Sequence, residues 1–156
     1  MTQGAPRLAP AASLSAMLEA KSVAIVGASD RPGSFGRRVI DEIAKSRSDP
    51  VVHLVNPRYQ HIDGRKCCAS LDQIDGPVDL VLMCVPDSAL ESALQMAAAR
   101  RDHSAVIFGS AWEAPADREA GEPGEPGSAG EPSLRERIKR IAAQSQMSVC
   151  GAGCMG

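Results

Sequence analysis

Short apolar runs alternate with amphipathic segments along most of this chain. An uninterrupted apolar run of about four to eight residues, bounded by Gly, Pro or polar residues, is typical of a strand buried on both faces of a sheet. Such runs predict strands at Val23–Val26, Val51–Val55, Asp79–Val85, Ala105–Phe108 and Met147–Cys150. The Pro residues that follow the second and third runs support these ends, because Pro cannot extend a central ladder.

Three amphipathic segments between these runs predict helices, since each places its apolar residues on one face. The predicted helices are Phe35–Lys45, a second helix that ends at Arg100, and Leu134–Gln144. Asp87 or Ser88 can cap the second helix, and Ser133 caps the third. Strands that alternate with helices specify an α/β fold. We therefore expect a Rossmann-like open parallel sheet of about five strands with helices on both faces.

The remaining segments predict connections. Tyr59–Ser70 reads as a loop with a turn at Asp63-Gly64, followed by a short helical turn at Leu71–Ile74. Residues 114–133 are dominated by Glu, Pro, Gly and Ala, a composition typical of a disordered insert. The expected organisation is an N-terminal extension over residues 1–21 and one domain over residues 22–156.

Composition excludes several classes of protein. Aromatic residues make up 3% of the 156 residues and the net charge is −2, which argues against a nucleic-acid partner. No apolar stretch is long enough to span a bilayer and no secretory signal is evident, so a cytoplasmic protein without a membrane partner is expected. The five cysteines show no C-x-x-C pair, which favours reduced thiols and no metal site.

The first predicted strand runs into a turn rich in Gly and Ser, Gly27–Gly36, and then into a helix. Backbone N–H groups at such a helix start are suited to bind phosphate. The turn lacks the second glycine of G-x-G-x-x-G and the Gly-Lys-Ser/Thr of a P-loop. The second strand ends in Asn56-Pro57-Arg58 rather than in the acidic residue typical of NAD sites. Arg58 leaves an NADP site open as an alternative.

Two arginines lie in the first turn of the predicted second helix, where the helix dipole disfavours cations. Arg37 and Arg38 are either ordinary solvated charges or an indication that an anion occupies the helix N-terminus.

Several of these segments together resemble one family. Val26-Gly27-Ala28-Ser29-Asp30-Arg31-Pro32-Gly33-Ser34, then Val55-Asn56-Pro57-Arg58-Tyr59, Val85-Pro86, Glu113 and the closing Gly151–Gly156 are similar to the CoA-binding domain of NDP-forming acyl-CoA synthetases, relatives of the succinyl-CoA synthetase alpha subunit. The segments after residue 105 depart from the usual family pattern.

The resemblance implies a site for coenzyme A. The residues implied to hold the CoA phosphates and nearby groups are Gly27, Ala28, Ser29, Arg31, Ser34, Phe35 and Gly36. Asn56, Pro57 and Arg58 match the second-strand turn, and Cys84, Val85 and Pro86 would flank the adenine. Glu113 matches an acidic residue after the fourth predicted strand.

Complete members of this family also use a phosphorylated histidine and an ATP-grasp domain. No histidine of this chain matches the phosphorylated residue. The resemblance therefore implies a domain that binds CoA or an acyl-CoA as part of a ligase. Such a chain would be a fragment or a split subunit that is not catalytic alone. Its partner would be the missing ligase and ATP-grasp domains, or a subunit that contains them. Two alternatives remain open: an NAD(P)-binding oxidoreductase domain, and a non-catalytic CoA-sensing or interaction module.

Overall fold

Seven strands form one sheet in the computed structural model, which describes residues 11–112 and 132–153. The strands are β1 (Ser22–Val26), β2 (Val51–Val55), β3 (His61–Ile62), β4 (Arg65–Cys68), β5 (Leu80–Met83), β6 (Ser104–Ile107) and β7 (Ser148–Cys150). Their order is β3-β4-β2-β1-β5-β6-β7. Every neighbouring pair is parallel except β3 and β4, which are antiparallel.

Four helices and one 3-10 turn accompany these strands within the described ranges. The helices are α1 (Ala11–Leu18), α2 (Phe35–Ile43), α3 (Asp87–Ala99) and α4 (Leu134–Ser145), and the 3-10 turn is Leu71–Gln73. Helices lie on both faces of a mostly parallel sheet, so the predicted α/β, Rossmann-like fold is confirmed. Ser133 caps α4 as predicted, within a capping box that Glu136 completes.

The segment predicted as a loop over Tyr59–Ser70 contains a hairpin, and the loop prediction was wrong there. β3 and β4 bury only Ile62 and Cys67, so their mostly polar residues show no strand pattern. β4 is instead stabilised by backbone hydrogen bonds to β2, with Cys67 opposite Leu54. The predicted turn is present, because Asp63 and Gly64 both have positive φ, as a two-residue hairpin turn requires.

Two aliphatic clusters pack against the two faces of the sheet. Ala24 of β1 faces the cluster beneath α3 and α4, whereas Val23 and Ile25 face the cluster beneath α2. On β7, Val149 belongs to the first cluster, so Ser148 points to the α2 face. Ser13 of α1 meets it there, with 2.8 Å between the two hydroxyl oxygens. Residues 11–18 of the expected N-terminal extension thus pack against the sheet.

The order of the strands creates a crevice at one edge. The chain moves from β1 to β2 on one side and then returns to place β5 on the other side of β1. Open parallel sheets bind ligands at such a switch point, beyond the carboxyl ends of the strands. Among the described residues no helix has both the length and the apolar content required to cross a bilayer.

Candidate functional site

An open cleft of about 670 Å³ lies at the carboxyl ends of β1, β2 and β5. Its floor is the turn after β1, and its walls come from the turns after β2 and β5, the 3-10 turn and one face of α3. The cleft therefore occupies the switch point that the strand order creates.

Two glycines shape the turn after β1. Gly27 has a φ of +91°, and a Cβ there would collide with the carbonyl group of Cys84. Gly36, in the first turn of α2, lies so close to the carbonyl oxygen of Gly27 that a Cβ would collide with that atom. Both positions require glycine for close backbone approach, and together they press the start of α2 against the end of β1.

Two serines hold the rest of this turn. The Ser29 hydroxyl accepts a hydrogen bond from the Arg31 backbone N–H at 3.1 Å. The Ser34 hydroxyl donates to the Arg31 carbonyl oxygen at 2.8 Å and, as the N-cap of α2, accepts from the Arg37 N–H at 3.3 Å. The turn is thus held in place by its own side chains at the positive end of the α2 dipole, where an anion is favoured.

Asn56 connects the turn after β2 to the turn after β1. Its side-chain amide donates to the Ala28 carbonyl oxygen at 2.7 Å, and its side-chain oxygen accepts from the Arg58 backbone N–H at 2.9 Å. Both ends of the side chain are therefore occupied inside the protein. An acidic residue in this place would lack the donor that Ala28 requires.

The arginines near the cleft differ in their partners. Arg31 and Arg58 are exposed, line the cleft and form no ion pair among the described residues. Arg37 instead contacts Asp30, Asp41 and Asp63 at 3.4, 2.8 and 2.8 Å.

The hydrogen bond from Arg37 holds the pKa of the Asp63 carboxyl below its usual value. Three carboxylates thus offset the charge of Arg37, and its place at the start of α2 is no longer an indication of a bound anion. Arg38 is exposed and donates to the Gly33 carbonyl oxygen.

The turn after β5 supplies an uncharged wall. The Cys84 N–H donates to the Val26 carbonyl oxygen at 2.7 Å, which continues the β1–β5 ladder, and Val85 and Pro86 follow. Burial raises the pKa of the Cys84 thiol to about 12, so it is protonated at neutral pH and is no nucleophile. Cys67, Cys68 and Cys84 carry free thiols, and no group of three or more His, Cys, Asp or Glu among the described residues could hold a metal ion.

Asp87 does not cap α3, contrary to the sequence prediction. Pro86 is the N-cap, and it provides no side-chain hydrogen bond. The Asp87 carboxylate instead accepts from the backbone N–H groups of Ala111 and Trp112 at 3.1 and 2.9 Å and from the Ser110 hydroxyl at 3.2 Å. The loop after β6 is thereby fastened to the start of α3.

A smaller apolar pocket of about 420 Å³ adjoins the cleft. Its lining residues are Phe35, Met83, Cys84, Val85, Pro86, Phe108 and Gly109. The rings of Phe35 and Phe108 meet edge to face with centroids 5.0 Å apart. Phe35 and the turn after β5 line both spaces.

The cleft brings together twelve of the fourteen residues predicted for the site. They are Gly27, Ser29, Arg31, Ser34, Phe35, Gly36, Asn56, Pro57, Arg58, Cys84, Val85 and Pro86. Ala28 is buried and contributes only its carbonyl group to Asn56. Glu113 and most of the predicted insert, residues 114–131, lie outside the described residues.

Sequence reasoning missed one wall of the cleft. It consists of Ala69, Ser70, Leu71, Ala89, Ser92, Ala93 and Met96. The last four repeat every three or four residues on α3, so they form a helix face beside the buried one. The spacing of these residues, three of which are small, was a usable signal for this face.

The chain is similar to known proteins over most of its length. The family model described as CoA binding domain matches residues 21–156. The ADP-forming acetate–CoA ligase of Methanocaldococcus jannaschii is 26% identical over 136 residues, which cover 87% of this chain and 17% of that protein. The alpha subunit of the ADP-forming acetate–CoA ligase II of Pyrococcus furiosus is 28% identical, with 87% and 27% covered.

A solved structure shares the fold. The acetyl-coenzyme A synthetase 1 of Ca. Korarchaeum cryptofilum superposes with a TM-score of 0.67 at 21% identity, over 87% of this chain and 26% of that one. The chain therefore spans less than a third of the length of these curated relatives.

Proposed function

Because the chain belongs to the CoA-binding domain family, we propose that its cleft binds coenzyme A or an acyl-CoA. The phosphates lie against the Gly27–Gly36 turn and Arg58, and residues 22–156 form the binding unit. The observation that carries this proposal is the junction of the two turns: the Asn56 side chain joins the phosphate-binding turn to the residues that present Arg58.

The charges in the cleft support this orientation of the ligand. Arg31 and Arg58 line it and are free of carboxylate partners among the described residues, so they can pair with phosphate oxygens. The N-terminus of α2 adds backbone N–H groups on the same side. The apolar and small residues of the remaining walls fit the uncharged parts of the ligand, with Val85 and Pro86 beside the adenine.

We propose further that this unit supplies CoA to an NDP-forming acyl-CoA synthetase in the cytoplasm. The support is the similarity to ADP-forming acetate–CoA ligases, of which the chain covers only a small part. The Cys84 thiol in the cleft stays protonated and does not act as a nucleophile. The acyl-transfer chemistry then belongs to ligase and ATP-grasp domains that act as partners of this unit.

The dinucleotide alternative fits the cleft less well. An NAD site needs an acidic residue at the end of the second strand, and Asn56 occupies that place with both of its polar atoms already bonded. The turn after β1 also lacks the glycine that lets a pyrophosphate approach in the dinucleotide pattern.

Calorimetric titration of the full chain with CoA and with NADPH tests the proposal. We expect saturable CoA binding that weakens about tenfold or more in Arg58→Ala, because a charge-assisted hydrogen bond contributes about 1.5–3 kcal/mol. Arg47→Ala removes an exposed arginine remote from the cleft and should bind CoA as the wild type does. Binding of NADPH without binding of CoA would overturn the proposal.

A further inference from the structure

The β3–β4 hairpin lies beside the cleft without lining it. The lining includes Asn56, Pro57 and Arg58 and resumes at Ala69, so residues 59–68, all of which the structure describes, stand outside the cleft. The hairpin nevertheless contacts both turns that line the cleft. It can therefore act on the site only through those turns.

Two contacts fix the turn after β2 to the hairpin and to the turn after β1. The Asn56 backbone N–H donates to the Cys68 carbonyl oxygen of β4 at 2.9 Å. The Tyr59 side chain, in the segment that leads into β3, places its hydroxyl oxygen 3.4 Å from that of Ser29. The residue that joins the two turns, Asn56, is thus itself held by the hairpin.

Arg37 joins the hairpin to the Gly27–Gly36 turn more directly. Its Nη1 lies 2.8 Å from a carboxylate oxygen of Asp63, in the hairpin turn, and 3.4 Å from one of Asp30. Its Nε and Nη2 donate to the Asp41 carboxylate at 3.0 and 2.8 Å, which anchors the guanidinium on α2. Because Asp30 belongs to the Gly27–Gly36 turn, one nitrogen of Arg37 bridges this turn and the hairpin.

Apolar packing prepares this bridge. Ile62, next to the hairpin turn, is 1% exposed and lies in the same aliphatic cluster as Ile40 of α2. An isolated surface ion pair contributes only about 0–1 kcal/mol, partly because two side chains must be ordered for one contact. Here one guanidinium is ordered once for three carboxylates, on elements that the apolar cluster already holds together. The bridge therefore stabilises the contact between the turn and the hairpin more than a single surface pair would.

We propose that Arg37 is a positioning residue that couples the Gly27–Gly36 turn to the β3–β4 hairpin through Asp30 and Asp63. A phosphate group bound by the turn then stabilises the hairpin, and a loosened hairpin weakens binding by the same factor, because coupling between two sites is reciprocal. Arg37 does not line the cleft, so it acts through the turn and not on the ligand. The inference rests on the proposed function, because it requires the CoA phosphates to lie against this turn.

Amide hydrogen exchange of the full chain, with and without saturating CoA, tests the coupling. The amides of β7, at the opposite edge of the sheet, report the overall stabilisation by a bound ligand. We expect CoA to slow the exchange of the amides in residues 61–68 about threefold or more beyond the slowing in β7. Equal slowing in the hairpin and in β7 would overturn the inference alone. Failure of CoA to bind the wild type in calorimetric titration would overturn the proposed function as well.

Two variants tie the coupling to the bridge, each measured at saturating CoA. Arg37→Gln removes the bridge, and the additional slowing in the hairpin should fall to the level of β7. Asp63→Asn removes the charge of the hairpin partner and should also reduce the additional slowing. It keeps the hairpin turn, since Asn tolerates the positive φ at this position. The two substitutions change the net charge in opposite directions, so a long-range charge effect cannot produce the same result in both.

Lys45→Gln is the matched control on the same helix. It removes the exposed ion pair between Lys45 and Glu42 at the far end of α2 and should keep the wild-type slowing in the hairpin. Wild-type slowing in both Arg37→Gln and Asp63→Asn would contradict the inference. Loss of the additional slowing in Lys45→Gln as well would contradict the assignment of the coupling to Arg37.

Discussion

The side-chain amide of Asn56 donates to the carbonyl oxygen of Ala28 over 2.7 Å, and this bond joins the turns that follow β1 and β2. The side-chain oxygen of Asn56 accepts from the Arg58 backbone N–H, so the same residue also orients the second turn. One side chain thereby joins the turn before α2 to the backbone that carries Arg58. Two short sequence motifs that are separate in the chain thus line one cleft.

Replacement of Asn56 by Asp tests this junction. The substitution keeps an acceptor for Arg58 and removes the donor for Ala28, so it leaves a carboxylate facing a carbonyl oxygen. We expect CoA binding to weaken about tenfold or more, since an unsatisfied polar group costs about 1–3 kcal/mol. Gln60→Glu makes the same change of charge on an exposed side chain nearby and should bind almost as the wild type. Wild-type affinity in the Asn56 variant, measured by calorimetry, would show that the junction is not needed for binding.

Gly36→Ala tests the close approach of α2 to β1. In an ordinary helix this change stabilises by about 1 kcal/mol. Here the new Cβ collides with the Gly27 carbonyl oxygen, so we expect the free energy of unfolding to fall by about 1–3 kcal/mol.

Urea unfolding measures this change, and Gly76→Ala provides the comparison. Gly76 has a positive φ, but no heavy atom outside its neighbours in the chain lies within 4 Å of the position that an alanine Cβ would occupy. The Gly76→Ala substitution should therefore lower the free energy of unfolding by only about 1–2 kcal/mol, through backbone strain. A stabilised Gly36→Ala protein would mean that the two backbones are farther apart than described.

Asp87→Ala releases the loop after β6. The variant removes the acceptor for the Ala111 and Trp112 amides. We expect those two amides to exchange with solvent about tenfold faster or more, because each then depends on water alone. Trp112 is the one tryptophan of the chain, so a lower fluorescence anisotropy reports the same release. Unchanged exchange at both amides would show that other contacts hold the loop.

Asp79 should make stability depend on acid pH. Burial raises the pKa of this carboxyl, but hydrogen bonds from the Lys21 and Ser22 backbone and from His103 outweigh it and lower the pKa below 3.8. A lowered folded-state pKa contributes stability that is present above the unfolded pKa and is lost as pH falls through the folded pKa.

Thermal unfolding between about pH 2 and 6 measures this contribution. Asp79→Asn should flatten the loss of Tm at low pH. Asp75→Asn, which removes an exposed acidic charge, should keep the wild-type pH profile. Coincident profiles for the wild type and Asp79→Asn would contradict the assignment.

Local motifs predicted most of the candidate site, and long-range contacts account for what was missed. The positive φ of Gly27 and the close approach of Gly36 to the Gly27 carbonyl oxygen both arise within one turn, so the residue types themselves indicate this turn. The approach of Gly27 to the Cys84 carbonyl group is a long-range contact that its own segment does not indicate. The acceptors of Arg37 include Asp63, 26 positions away, and the donors to Asp87 lie 23 to 25 positions away. Nothing in the sequence around Arg37 or Asp87 indicates these partners, and the hairpin over residues 61–68 likewise depends on β2 for its pairing.

Amide chemical-shift mapping of the full chain, as it is titrated with CoA, tests most directly whether the cleft binds CoA. We expect the largest shifts in the Gly27–Gly36 turn, in residues 56–58 and on the 89–96 face of α3. These segments line one cleft. Shifts concentrated instead around Arg101, His103 and Gln146, which line a cavity at the opposite edge of the sheet, or no shifts at all, would contradict CoA binding in the cleft.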